Sequence, residues 1–135
     1  MGKLKDIKSI EPSIAREAND VGARIDELRR LVDGWLDGSG IAPSSDGLDW
    51  FSSVFEEEYP TDLPRPYLYP TPEGNLLAEW SLGANSSSLE VCLTSHQAEF
   101  HNLNLKSNHE ITQSLNLDEP ECWHELERLL HPLEA

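Results

Sequence analysis

The sequence predicts an α+β fold: two N-terminal helices, a five-stranded antiparallel β-meander and a C-terminal helix, with the helices packed on one sheet face. Three observations carry this. Apolar residues from Val21 recur at steps of four and three, the period of one helix stripe. From Tyr67 to Leu117 the period drops to two and is broken at short intervals by turn residues. Asp118-Glu119-Pro120-Glu121 then opens a last helical pattern. A length of 135 residues suits one core, so the chain divides into a flexible arm over 1–12 and a single domain over 13–135.

The first helix starts near Ser13 and places Val21, Ile25, Leu28, Val32 and Trp35 on one stripe, with Arg24, Asp26, Glu27, Arg29 and Arg30 opposite. It stops at Gly34 or just after Leu36, where glycines can take positive φ. That spacing also suits a short coiled-coil seam, so the protein is expected to be a monomer or a homodimer through this helix. An Asp or Ser near position 46 caps a second helix that turns Leu48, Phe51, Val54 and Phe55 inward. Glu56-Glu57-Glu58 crowds the negative end of its dipole, so the helix is expected to fray there. Pro60, Pro64 and Pro66 then favour an extended link over 59–66.

Tyr67-Leu68-Tyr69-Pro70 begins the sheet, and Thr71-Pro72-Glu73-Gly74 reads as a type I turn. Leu76, Ala78, Trp80 and Leu82 share one face of the second strand, and Leu89, Val91 and Leu93 one face of the third. The fourth strand, from Ala98 to Leu105, changes parity between Phe100 and Leu103; a bulge near His101 or Asn102 would restore a single inward face. Ile111, Gln113, Leu115 and Leu117 alternate in the fifth. Consecutive short strands with tight turns pair antiparallel, because parallel neighbours need long crossovers. Glu79, Glu90, Cys92, Glu99 and Glu110 should face solvent. In the last helix Asp118 caps, Pro120 occupies the first turn, Glu121 completes a capping box, and Trp123, Leu126, Leu129 and Leu130 turn inward.

Charge is the most informative compositional feature. The formal net charge is −15, and it is unevenly placed. Residues 1–30 hold seven basic side chains against six acidic ones, whereas residues 31–135 hold three (Arg65, Lys106, Arg128) against nineteen. Nucleic-acid affinity comes from Lys and Arg displacing counterions, so no nucleic acid is expected as a partner, and anionic membrane surfaces are disfavoured on the same ground. Two cysteines make no disulfide framework and no signal peptide is evident, which points to a reducing cytoplasm.

No motif carries chemistry by its spacing. His96, His101, His109, His124 and His131 interleave with Cys92 and Cys122, but lack paired zinc-ligand spacing. Both cysteines sit among carboxylates, which should raise a thiol pKa. No phosphate loop or nucleophile elbow occurs. No catalytic, metal or cofactor-binding residue is therefore assigned and no cofactor is implied; Glu73 and Glu79 are the carboxylates best placed to serve as acid or base.

Two segments stand out: Gly34-Trp35-Leu36-Asp37-Gly38-Ser39-Gly40-Ile41-Ala42-Pro43, and Pro66-Tyr67-Leu68-Tyr69-Pro70-Thr71-Pro72-Glu73-Gly74 followed by Glu79-Trp80. Together they resemble a family of small bacterial proteins of uncharacterised activity, over about residues 20–130. The resemblance implies a bacterial origin and carries no catalytic residue across. It directs attention to the turn at 70–74 and the Glu79-Trp80 pair; taken with the aromatic residues expected near them, the candidate binding surface is Trp35, Tyr69, Glu73, Glu79 and Trp80. The expected function is a non-enzymatic acidic binding protein, immunity- or antitoxin-like, for a basic protein partner. The alternative is a small enzyme or small-ligand binder with a pocket between helices and sheet.

Overall fold

The computed structural model describes residues 20–134; the arm over 1–12 and the expected helical residues 13–19 lie outside them. The order is α1 (Val21–Leu28), α2 (Ser45–Glu58), β1 (Tyr67–Pro70), β2 (Leu76–Leu82), β3 (Asn85–Val91), β4 (Gln97–Asn104), β5 (Glu110–Asn116) and α3 (Pro120–Leu130), followed by a 3-10 turn, His131–Glu134. The strands lie side by side in chain order, each antiparallel to the next. This is the α+β meander that the period-two pattern predicts.

Helix α1 is shorter than its apolar spacing suggests. Asp20 caps it by accepting from the Ala23 amide at 3.1 Å, and Val21, Ile25 and Leu28 are buried. Beyond Leu28 the stripe fails: Val32 is 71% exposed and Trp35 belongs to a loop. The loop wins because it closes on itself. The Gly34 amide donates to Gly40 O (2.8 Å), the Leu36 amide to Ser39 O (2.7 Å) and the Ala42 amide to Asp33 Oδ1 (3.0 Å), while Gly34, Gly38 and Gly40 take positive φ.

Helix α2 is capped by Ser44, whose hydroxyl accepts from the Gly47 amide at 3.0 Å. It does not fray at its glutamates. The Tyr59 amide donates to Phe55 O (2.9 Å), the two rings stack at 4.4 Å, and Arg65 lies over the Phe55 ring while pairing with Glu56. Charge at the wrong helix end costs about 0.3–1 kcal/mol, and a buried aromatic anchor outweighs it. The link to the sheet also turns at residues 61–62, and Leu63 is buried, so it is not simply extended. Gly47 allows close approach: a Cβ there would meet Leu93 Cβ at 2.6 Å.

In the sheet, Leu68, Ala78, Leu89 and Phe100 form one buried row across four strands, and Leu76, Val91, Ala98 and Leu115 another. These side chains belong to a single apolar cluster with Ile25, Phe51, Phe55, Trp123 and Leu126. No bulge interrupts β4: its pairing with β3 runs unbroken from Asn104 opposite Asn85 to Ala98 opposite Val91. The parity is kept by a polar residue. Asn102 is buried, its Oδ1 accepts from Ser87 Oγ at 2.6 Å, and its Nδ2 donates to Asn85 Oδ1 at 2.9 Å. A satisfied amide can occupy a core position, and Leu105 is left exposed instead.

Helix α3 starts with Pro120 in its first turn but without the expected capping box. Glu119 is the cap residue and makes no side-chain bond there. Asp118 is engaged elsewhere, with His96 Nδ1 at 2.8 Å. No helix among the described residues is long and apolar enough to cross a membrane.

Candidate functional site

Alternation along the strands creates a second face of opposite character. One residue out of phase with the buried rows lie Glu79, Glu90, Glu99 and Glu110, all exposed, together with Tyr67 and Tyr69, about 40% exposed. None of the five strands contains a Lys or Arg. Register places Glu90 directly opposite Glu99 on neighbouring strands. Like charges in that position destabilise an antiparallel pair. Glu99 accepts from Ser114 Oγ at 2.5 Å, and His101 Nε2 lies 2.9 Å from Glu110 Oε2.

The opposed glutamates border a cavity of about 300 Å³ whose other lining residues are Asn75, Cys92, Gln97 and Ala98. Its walls present carboxylates, side-chain amides and one thiol. Asn75 Oδ1 accepts from the Leu93 amide at 3.2 Å, which fixes that wall. Hydrogen bonds from the Ser95 side chain, then the Ser95 and Thr94 backbone and the Thr94 hydroxyl, pull the Cys92 thiol down to about 7. This reverses the expectation that neighbouring carboxylates raise it, because donors in the β3–β4 connection stabilise the thiolate at short range.

That connection is itself clasped. His96, at φ 66°, stacks its ring on Trp50 of α2 (3.6 Å, interplanar angle 5°), and its carbonyl accepts from the Leu117 amide at 3.0 Å. With the Asp118 bond, His96 ties α2, the β3–β4 connection and the start of α3 together. Among the described residues, no group of three or more His, Cys, Asp or Glu side chains could hold a metal ion.

The five residues singled out from sequence fall in three places. Trp35 and Glu73 are linked through Ile41: Trp35 Nε1 donates to Ile41 O (2.9 Å), and Ile41 bridges Glu73 and donates its amide to Pro72 O (2.8 Å). Gly74 permits this contact, since a Cβ there would meet Ile41 Cγ2 at 3.0 Å. The two distinctive segments therefore touch. Tyr69 and Glu79 lie on the acidic face, on adjacent strands. Trp80 is on the opposite face, buried, with Nε1 donating to Tyr59 Oη (2.9 Å) and lying 3.1 Å from Pro64 O. Burial pushes the Tyr59 hydroxyl up to about 12. A period of two cannot place Glu79 and Trp80 in one pocket.

Glu90, Glu99, Cys92, Asn75 and Gln97 were not singled out as a site. The signal was the length of one turn: pairing Cys92 with Gln97, as their 2.9 Å backbone bond does, sets Glu90 opposite Glu99.

No protein-family model, curated protein or solved structure matches the chain.

Proposed function

We propose that this is a non-enzymatic binding protein which meets a basic protein partner through the acidic face of its sheet, in the manner of an immunity protein or antitoxin, while its helices cover the other face. The observation that carries this reading is the Glu90–Glu99 pair, two carboxylates held opposite each other on an exposed surface bordering a cavity. Such a pair costs stability in the isolated protein. An Arg or Lys side chain placed between them removes that repulsion and gains charge-assisted hydrogen bonds. Tyr67 and Tyr69 at the edge of the same face add the amphipathic contact area typical of protein interfaces. Two free cysteines suit a reducing cytoplasm.

The test is affinity capture from a lysate of the source cells with the wild type and with the double variant Glu90→Gln/Glu99→Gln. A basic protein retained by the wild type at about 0.05 M salt, and lost both from the variant and at about 0.5 M salt, supports the reading. Equal retention of the same proteins by both forms refutes it.

A second reading, a small-ligand binder, is favoured by one observation: the Cys92 thiol, held near 7, lines the cavity. The cavity lies on the acidic face, away from Trp80, so such a ligand would be recognised by Glu90, Gln97 and Asn75.

A further inference from the structure

The sheet has two edges, and they are finished differently. Edge strand β1 has four residues, ends in Pro70 and is covered by α1, whose Arg24 Nε donates to the Leu68 carbonyl at 2.8 Å. Short length, proline and a covering donor are the usual devices that stop an edge from pairing further. Edge strand β5 has seven residues, contains no proline, lysine or bulge, and carries one charge, Glu110.

Alternate residues of a strand direct amide and carbonyl to opposite sides. The His109 carbonyl accepts from the Asn104 amide and the Leu117 amide donates to His96 O, so residues 109 and 117, and with them 111, 113 and 115, face β4. Residues 110, 112, 114 and 116 therefore face away. Asn116 is already engaged: its amide donates to Cys122 Sγ (3.3 Å) and its carbonyl accepts from the Glu119 amide (3.0 Å). Among the described residues, nothing pairs with Glu110, Thr112 and Ser114 on that side.

We infer that β5 pairs antiparallel with β5 of a second copy of this chain about a two-fold axis at Thr112, joining two meanders into one continuous sheet. A register centred on Thr112 sets Glu110 opposite Ser114 of the other copy and Thr112 opposite itself, using every free backbone group and none that is occupied. Centring on Gln113 would set Glu110 opposite Asn116, whose groups are taken. Self-complementarity selects a second copy: the free donors and acceptors of residues 110, 112 and 114 match their own two-fold image, and although two bodies of net charge −15 repel, β5 carries one charge and this register leaves no carboxylate facing another. Thr–Thr and Glu–Ser are favourable cross-strand neighbours, and an isologous contact closes at two copies.

This inference is independent of the basic-partner reading, and salt separates the two. Salt screens the repulsion between acidic bodies and strengthens the dimer, whereas it weakens capture of a basic partner. Sedimentation equilibrium of the full chain, from micromolar to millimolar concentration, is expected to show a dimer that tightens with salt. Thr112→Pro removes the central donor and Thr112→Glu sets two carboxylates face to face; each is expected to weaken dimerisation roughly tenfold or more. Hydrogen exchange of the wild type should show Thr112 and Ser114 amides gaining protection as concentration rises. A wild type that stays monomeric, a dimer that survives both substitutions, or protection of those amides in the monomer, as when residues 1–19 of the same chain occupy the edge, would each overturn it.

Discussion

On the buried face of the sheet Ala78, Leu89 and Phe100 stand in one row across three strands; one residue along, on the acidic face, Glu90 stands against Glu99 across the last two of them. The two faces share backbone, register and length, and differ only in what each neighbour does for the next. Buried neighbours stabilise one another at about 25 cal/mol per Å² of apolar surface removed from water, and even the polar residues there, Ser87 and Asn102, are bonded to each other. The acidic neighbours work against the fold. The same scaffold is packed on one side and charged against itself on the other, and in the proposed reading it is the charged side that meets a partner.

That contrast can be broken at several points. The largest effect belongs to the core: Trp123→Ala removes a buried ring that packs edge-on against Phe55 and donates to Leu117 O at 2.9 Å. A loss of about 3–5 kcal/mol is expected from urea denaturation; a loss below about 1 kcal/mol would mean that α3 is not part of the core. Next, Asn102→Ala leaves the Ser87 hydroxyl without its acceptor and takes from Asn85 Oδ1 one of its two donors, the other being Asn104 Nδ2, and should cost about 1–3 kcal/mol by the same measurement. An unchanged midpoint would show that the polar corner is not buried as described.

On the acidic face the effects are smaller and of different sign. The Cys92 thiol, held at about 7, should label with iodoacetamide at a rate whose midpoint lies near pH 7, and Ser95→Ala should move that midpoint up towards the ordinary value of 9.0. A wild-type midpoint already near 9 would remove the donors from the argument. Glu90→Gln should stabilise the isolated protein by about 0.2–1 kcal/mol, because it relieves the pairing with Glu99. Destabilisation would show that the two carboxylates do not repel.

Much of this was legible in the sequence because period two is a strong signal: Leu76, Ala78, Trp80 and Leu82 are buried as their spacing requires. Three features were not, each for a physical reason. The run Val32 and Trp35 continues a helical spacing, but hydrogen bonds internal to the 33–42 loop outcompete one more helical turn. Asn102 reads as an outward polar residue until Ser87 and Asn85 are known to meet it. Glu79-Trp80 attracts notice as a pair, although adjacent strand residues face opposite ways. Of the three, the burial of Asn102 is the one decided by contacts between residues far apart in the chain.

The most direct test of the central claim is a titration of the isotope-labelled protein with a hexa-arginine peptide at low salt, read by amide chemical shifts. The account predicts shifts concentrated at Glu90, Cys92, Gln97 and Glu99, reduced in Glu90→Gln/Glu99→Gln. Shifts of equal size at Glu56, Glu57 and Glu58 on α2 would contradict it, since the peptide would then be following net charge and not the arrangement of the sheet.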